Sequence, residues 1–131
     1  MNQNSLKKKA FIDTVTALMH DSTTKGLRLE NSEIIRIAAN HEAPSYFISL
    51  AQAEKSINDY LYYGKFTKSI REHRKKLLLS ILGRLMSCDG IRNGEVYRPR
   101  LSYVLTNFKA PSFFISESYA RKLFYDKSSE L

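Results

Sequence analysis

Residues Ala43-Pro44-Ser45-Tyr46-Phe47-Ile48-Ser49 recur 67 positions later as Ala110-Pro111-Ser112-Phe113-Phe114-Ile115-Ser116, with Tyr46 against Phe113 as the single difference. Aligned without gaps, residues 34–59 and 101–126 share ten identities in 26 positions, where ordinary residue usage gives about one or two by chance. The register holds upstream: Lys8-Lys9 falls on Lys75-Lys76, Leu18-Met19 on Leu85-Met86 and Lys25 on Arg92. The 131 residues therefore read as two tandem copies of one unit, at about 5–64 and 72–131. A unit of about 65 residues buries too little apolar surface to be comfortably stable alone. A single domain, 1–131, with one shared core is the expectation.

Pro44 pushes Ala43 out of the helical region and ends the preceding helix near residue 40 or 41. Tyr46, Phe47 and Ile48 then favour a short extended crossing that is apolar on both faces. Replacing Phe47 or Phe114 by alanine is expected to cost about 3–5 kcal/mol. Ser49 restarts a helix through an S-x-x-Q capping box with Gln52 and a staple of Ile48 on Ala53; the second copy keeps Ser116, Ile115 and Ala120.

Periodicity places the other helices. The first spans about 5–20, with Phe11, Val15 and Leu18 on one stripe. The second starts near 32, capped by Asn31, with Ile34, Ile37 and Ala38 inward. The third spans about 50–62, with Ala53, Ile57 and Leu61 inward and Gly64 ending it. The second copy repeats the order at about 68–87 (Leu78, Leu82, Leu85), 99–107 and 117–125, while 21–26 and the stretch from Cys88-Asp89-Gly90 to Asn93-Gly94 read as loops. The predicted fold is mainly α: six helices in two pseudo-symmetric three-helix repeats, each packed around its own crossing. A further expectation pairs 46–48 with 113–115 as a small antiparallel β-ribbon, so that buried backbone groups are satisfied.

Composition excludes several function classes. Cys88 is the only cysteine, so no intramolecular disulfide or thiolate cluster forms, and it reads as an inert, half-buried thiol. His20, His41 and His73 lack ligand spacing, and Phe108 stands opposite His41 in the other copy, which favours packing over metal binding. Acidic residues form no close pair repeated in both copies apart from the isolated Asp59 and Asp126, and no phosphate-cradling glycine loop is present. No enzyme, cofactor or metal is expected. The longest apolar run, 77–82, is far short of the roughly 20 residues that span a bilayer, so the expectation is a cytoplasmic protein without membrane association.

Charge is the one strong functional signal. Residues 1–64 hold seven basic and seven acidic residues, whereas 65–131 hold fourteen and six, which is the entire net charge of +8. The candidate nucleic-acid-binding residues are Lys65, Lys68, Arg71, Arg74, Lys75 and Lys76, followed by Arg84, Arg92, Arg98 and Arg100, with the cluster at 71–76 lying off the Leu78, Leu82, Leu85 stripe. Such a cluster neutralises phosphates and releases counterions without selecting a base sequence. The competing reading is a solvated face that keeps the chain soluble. Tyr60, Tyr62 and Tyr63 are read as packing residues in preference to base-stacking ones. The eight-residue apolar connection between the second and third helices is too long for a standard helix-turn-helix. Two classes stay open: a nucleic-acid-binding accessory or regulatory protein, and a structural or interaction module that docks on an acidic protein.

The repeated A-P-x-[FY]-F-I-S phrase ahead of a helix bearing alanine, carried by Ala43, Pro44, Phe47, Ile48, Ser49, Ala53 and by Ala110, Pro111, Phe114, Ile115, Ser116, Ala120, resembles a family of small basic proteins of gut-type bacteria, their mobile elements and phages. The resemblance covers almost the whole chain. It implies the duplicated fold and a mobile-element or phage setting, and supplies no catalytic residue.

Overall fold

The computed structural model describes residues 2–67 and 69–129, and within them the chain is mainly helical. The elements are α1 (Gln3–Thr24), α2 (Asn31–Ala39), α3 (Leu50–Tyr63), α4 (Glu72–Ser87), β1 (Ile91–Arg92), β2 (Glu95–Val96), α5 (Arg98–Asn107) and α6 (Glu117–Ser129). The chain divides into two compact units. One is formed by residues 1–47 and 110–131, the other by 48–109. This grouping corrects the expected packing of each repeat on itself. α6 packs with α1 and α2, whereas α3 packs with α4, α5 and β2, so the third helix of each copy joins the first two helices of the other.

In the first unit, Asn2 caps α1 by accepting from the Ser5 N–H at 2.8 Å, which starts the helix two residues earlier than the periodicity predicts. The helix also runs on to Thr24, where the Thr23 and Thr24 hydroxyls donate to carbonyls one turn back, at Met19 and His20. Phe11 and Val15 are buried as expected. On α2 the inward set is Ile34, Ile35, Ala38 and Ala39, and Ile37 is 40% exposed. Its neighbour Ile35 takes the core position instead, since the nine-residue helix turns a slightly different face inward.

The crossings are not a ribbon. They meet in a single antiparallel bridge, Ala43 with Ala110, in which each backbone N–H donates to the other carbonyl at 2.9 Å. Pro44 and Pro111 follow at once with no N–H to donate to a ladder, and further along Phe47 and Phe114 take left-handed conformations, φ 53° and 52°. That region is unfavourable for a residue with a β-carbon by about 1–2 kcal/mol. A serine two residues earlier holds each in place: the Ser45 Oγ accepts from the Phe47 N–H at 3.2 Å, and the Ser112 Oγ from the Phe114 N–H at 3.0 Å. Ser112 also donates to the Ala39 carbonyl at the end of α2, at 3.2 Å.

The turn at the second aromatic position decides which rings are core. Tyr46 is 1% and Phe113 2% exposed, while Phe47 and Phe114 are half-buried, so the deep anchors lie one residue earlier than expected. The Phe113 ring meets Phe11 edge-on at 5.6 Å and lies nearly parallel to Phe47, 6.4 Å away.

In the second unit, Ala53 and Ile57 of α3 and Leu77, Leu78, Ile81, Leu82 and Leu85 of α4 form the core with Leu101 and Val104 of α5. Ser49 caps α3 by accepting from the Gln52 N–H at 3.2 Å, and Gly64 closes it in a left-handed conformation. α4 starts at Glu72, later than the predicted 68. Asn93 and Gly94, φ 54° and 77°, form the two-residue turn of a hairpin, Ile91 opposite Val96 and Arg92 opposite Glu95. Positive φ at both central residues is what such a turn requires. Gly90 sits so close to α4 that a β-carbon there would lie 2.9 Å from the Leu85 Cα. From that position its N–H donates to the Leu85 carbonyl and its carbonyl accepts from Tyr97 at 2.7 Å, which ties α4, the hairpin and α5 together.

Phe113→Ala is expected to cost about 3–5 kcal/mol in chemical denaturation. Phe47→Ala should cost less, because its side chain is only partly buried. Equal losses would show that the Phe113 ring is not the anchor its burial implies.

Candidate nucleic-acid interface

Arg71 is the N-cap of α4, and its side chain makes no capping hydrogen bond. Arg74, Lys75 and Lys76 follow within the next turn, where Glu72 is the acidic residue. A helix start exposes unpaired N–H groups and the positive end of the dipole, so each cation there is unfavourable by about 0.3–1 kcal/mol at low ionic strength. The same features favour a bound phosphate. Arg71, Arg74 and Lys76 are exposed and Lys75 is half-buried. None of the ion pairs found among the described residues involves these four. Helical spacing places Arg74 and Lys75 one turn before Leu78, on the side of the apolar stripe and not off it as expected. Arg74 is nevertheless exposed, and Lys75 is half-buried.

The remaining candidates separate into two groups. Lys65, just after α3, and Arg100, in the first turn of α5, are exposed; Lys68 lies outside the described residues. Three arginines are engaged within the fold. Arg98 forms a two-point pair with Glu54 of α3, Nε to Oε2 at 2.7 Å and an Nη to Oε1 at 2.9 Å. The Arg92 guanidinium lies 3.7 Å from the Tyr97 ring centre and pairs with Asp89 at 3.2 Å. Arg84 covers the Phe108 ring at 4.4 Å. These contacts assign Arg84, Arg92 and Arg98 first to holding the hairpin and α5 in place.

Grouping by unit sharpens the charge asymmetry. Residues 48–109 hold twelve basic and five acidic residues, a net +7, and the other unit holds nine and eight, a net +1. A shallow groove of about 450 Å³ on the first unit, beside α1 and Pro44, carries Asp13 and Asp21, the wrong sign for phosphate.

Sequence reasoning missed Glu54 and Asn58, the α3 residues that organise this surface. Asn58 accepts from the Val96 N–H at 2.7 Å, satisfying the hairpin edge from 38 residues away. No local signal marks either residue, because their partners are distant in sequence. The tyrosines also depart from expectation. Tyr60 packs, stacked on Phe66 at 4.4 Å, but Tyr62 and Tyr63 are 82% and 66% exposed. His41, read as a packing residue, is exposed beside the Glu42 carbonyl. Cys88 is half-buried, its thiol directed at the Leu85 carbonyl. Among the described residues no helix is long and apolar enough to cross a membrane.

No family model, curated protein or solved structure matches the chain.

The hydrogen bond from Arg98 holds the Glu54 carboxyl below the usual glutamate range, outweighing the opposing effect of partial burial, and correspondingly raises Arg98. A carboxyl depressed in the folded state contributes stability that is fully present above the unfolded glutamate range and is lost as pH falls through the folded value. Arg98→Gln is therefore expected to lower Tm near pH 7, and the gap from wild type should narrow as pH falls below the usual glutamate range. A gap that is absent near pH 7, or that persists unchanged in acid, would remove the pair from the account.

Proposed function

We propose that the chain is a non-enzymatic nucleic-acid-binding accessory or regulatory protein of low sequence specificity, acting in the cytoplasm in a phage or mobile-element setting. The observation that carries this reading is the start of α4, where Arg71, Arg74, Lys75 and Lys76 crowd the helix end at which cations are least favourable. Local rules broken without a structural return are characteristic of functional sites. A phosphate there would meet four cations, the free N–H groups and the helix dipole together. Phosphate contacts of this kind ignore base identity, so affinity is expected to vary little with sequence and steeply with salt.

One observation favours a second reading, a structural or protein-interaction module that docks on an acidic partner. Leu79 and Met86 of α4 are exposed, and Gly83 between them has open space above it.

The test is a salt titration of binding to mixed-sequence duplex and single strands, comparing wild type with a variant in which Arg71, Arg74, Lys75 and Lys76 are all glutamine. The log-log slope is expected to fall by about 2–4 units in the variant. Its Tm should not fall, since the charges removed oppose the dipole. If wild type does not bind at low salt, or the variant keeps its slope, the interaction module becomes the reading.

A further inference from the structure

Resting on the nucleic-acid reading and extending it to the class of ligand, we infer that Tyr62 and Tyr63 form a base-stacking platform that makes single-stranded nucleic acid the preferred partner. Both rings stand in solvent at the last turn of α3, 82% and 66% exposed, with centres 4.8 Å apart at 83° to one another. Neither ring stacks on any other aromatic ring among the described residues. The backbone beneath them is fixed on both sides. Gly64 ends the helix in a left-handed turn, with its N–H donating to the Tyr60 carbonyl at 2.8 Å, and Tyr60 stacks on Phe66 beyond that turn.

Exposing two large rings on a rigid helix end contributes nothing to the core, whereas an unpaired base offers a π-face to either ring. The charges needed for the backbone of the same strand lie along the connection that follows. Lys65 is one residue past the turn, and Arg71 and Arg74 stand at the connection's far end, all exposed. An unpaired strand satisfies both halves of this arrangement, since its bases are free to stack while its phosphates reach the cations. In a duplex the base faces are already stacked on one another and unavailable to tyrosine. An acidic peptide would use the cations and leave the rings without a role.

The chain has eight tyrosines and no tryptophan, so stacking reads out directly as quenching of tyrosine fluorescence. The experiment measures quenching and anisotropy with a fluorescein-labelled oligothymidylate of about 15 nucleotides and a mixed-sequence duplex of the same length, over a range of salt. Wild type is expected to bind the single strand more tightly and to show quenching with it alone. Tyr62→Ala with Tyr63→Ala should lose tenfold or more in single-strand affinity while keeping the salt slope. Tyr62→Phe with Tyr63→Phe should restore it, and circular dichroism should show the helices unchanged. By contrast, Arg71→Gln with Arg74→Gln should lower the slope by about 1–2 units. Equal binding of duplex and single strand, or alanine variants that bind as wild type does, would overturn the platform and leave the phosphate-binding reading standing. Binding to neither probe would overturn both.

Discussion

The two hydrogen bonds between the Ala43 and Ala110 backbones join residues 67 apart at the point where both crossings begin. They close a long loop, and loop closure is an entropic cost that grows only slowly with length. Both side chains are fully buried, and alanine is small enough to let two backbones approach. Once the bridge is made, everything downstream depends on how the chain leaves it. Pro44 and Pro111 fix the entry, Ser45 and Ser112 hold the left-handed turns, and Ser49 and Ser116 begin new helices. The repeated phrase is therefore a set of backbone instructions as much as a hydrophobic segment, which is why its serines recur along with its aromatics.

The structural grouping also changes the meaning of the charge. A count by repeat gives a neutral and a basic half; a count by unit places nearly all of the excess in residues 48–109. Within that unit the arginines divide by chemistry. Planar guanidinium groups at 84, 92 and 98 lie against a ring or a carboxylate, where the fork geometry or the flat face is satisfied. Among the described residues the cations at the start of α4 have no ion pair or ring contact of this kind, and their position opposes the helix dipole. Electrostatics thus separates residues engaged in building the surface from residues gathered at a helix start, a distinction invisible in a list of basic positions.

Much of the helix content was legible from the residues themselves. Phe11, Val15, Ala53, Ile57, Leu78, Leu82 and Leu85 are all buried where their spacing placed them, because a helix fixes which residues share a face whatever it packs against. Ile35 is buried in place of Ile37 because a nine-residue helix shows too few turns for periodicity to choose between isoleucines two positions apart. The hairpin at Asn93-Gly94 carried the strongest short turn signal in the chain, yet its strands have two residues each and no alternation to reveal them. Ser45 and Ser112 gave no sign that they would stabilise positive φ at phenylalanine, since that conformation is rare enough to be ignored until seen. Of the candidate site, the cluster at 71–76 was readable as charge, but the engagement of Arg84, Arg92 and Arg98 was not.

The sequence by itself determined the duplication, which is read by comparing the chain with itself, and the helices and the breaks between them, which depend on residues within about two turns of one another. Only the tertiary structure decided which helices share a core. The two copies bury equivalent positions, Ala53 and Ala120 or Ile48 and Ile115, so a third helix matches the first two helices of either copy equally well on pattern alone. Contacts distant in sequence break that tie, grouping α3 with α4 and α5, and α6 with α1 and α2. No local pattern encodes that grouping, because it depends on which faces meet after the chain has folded back on itself.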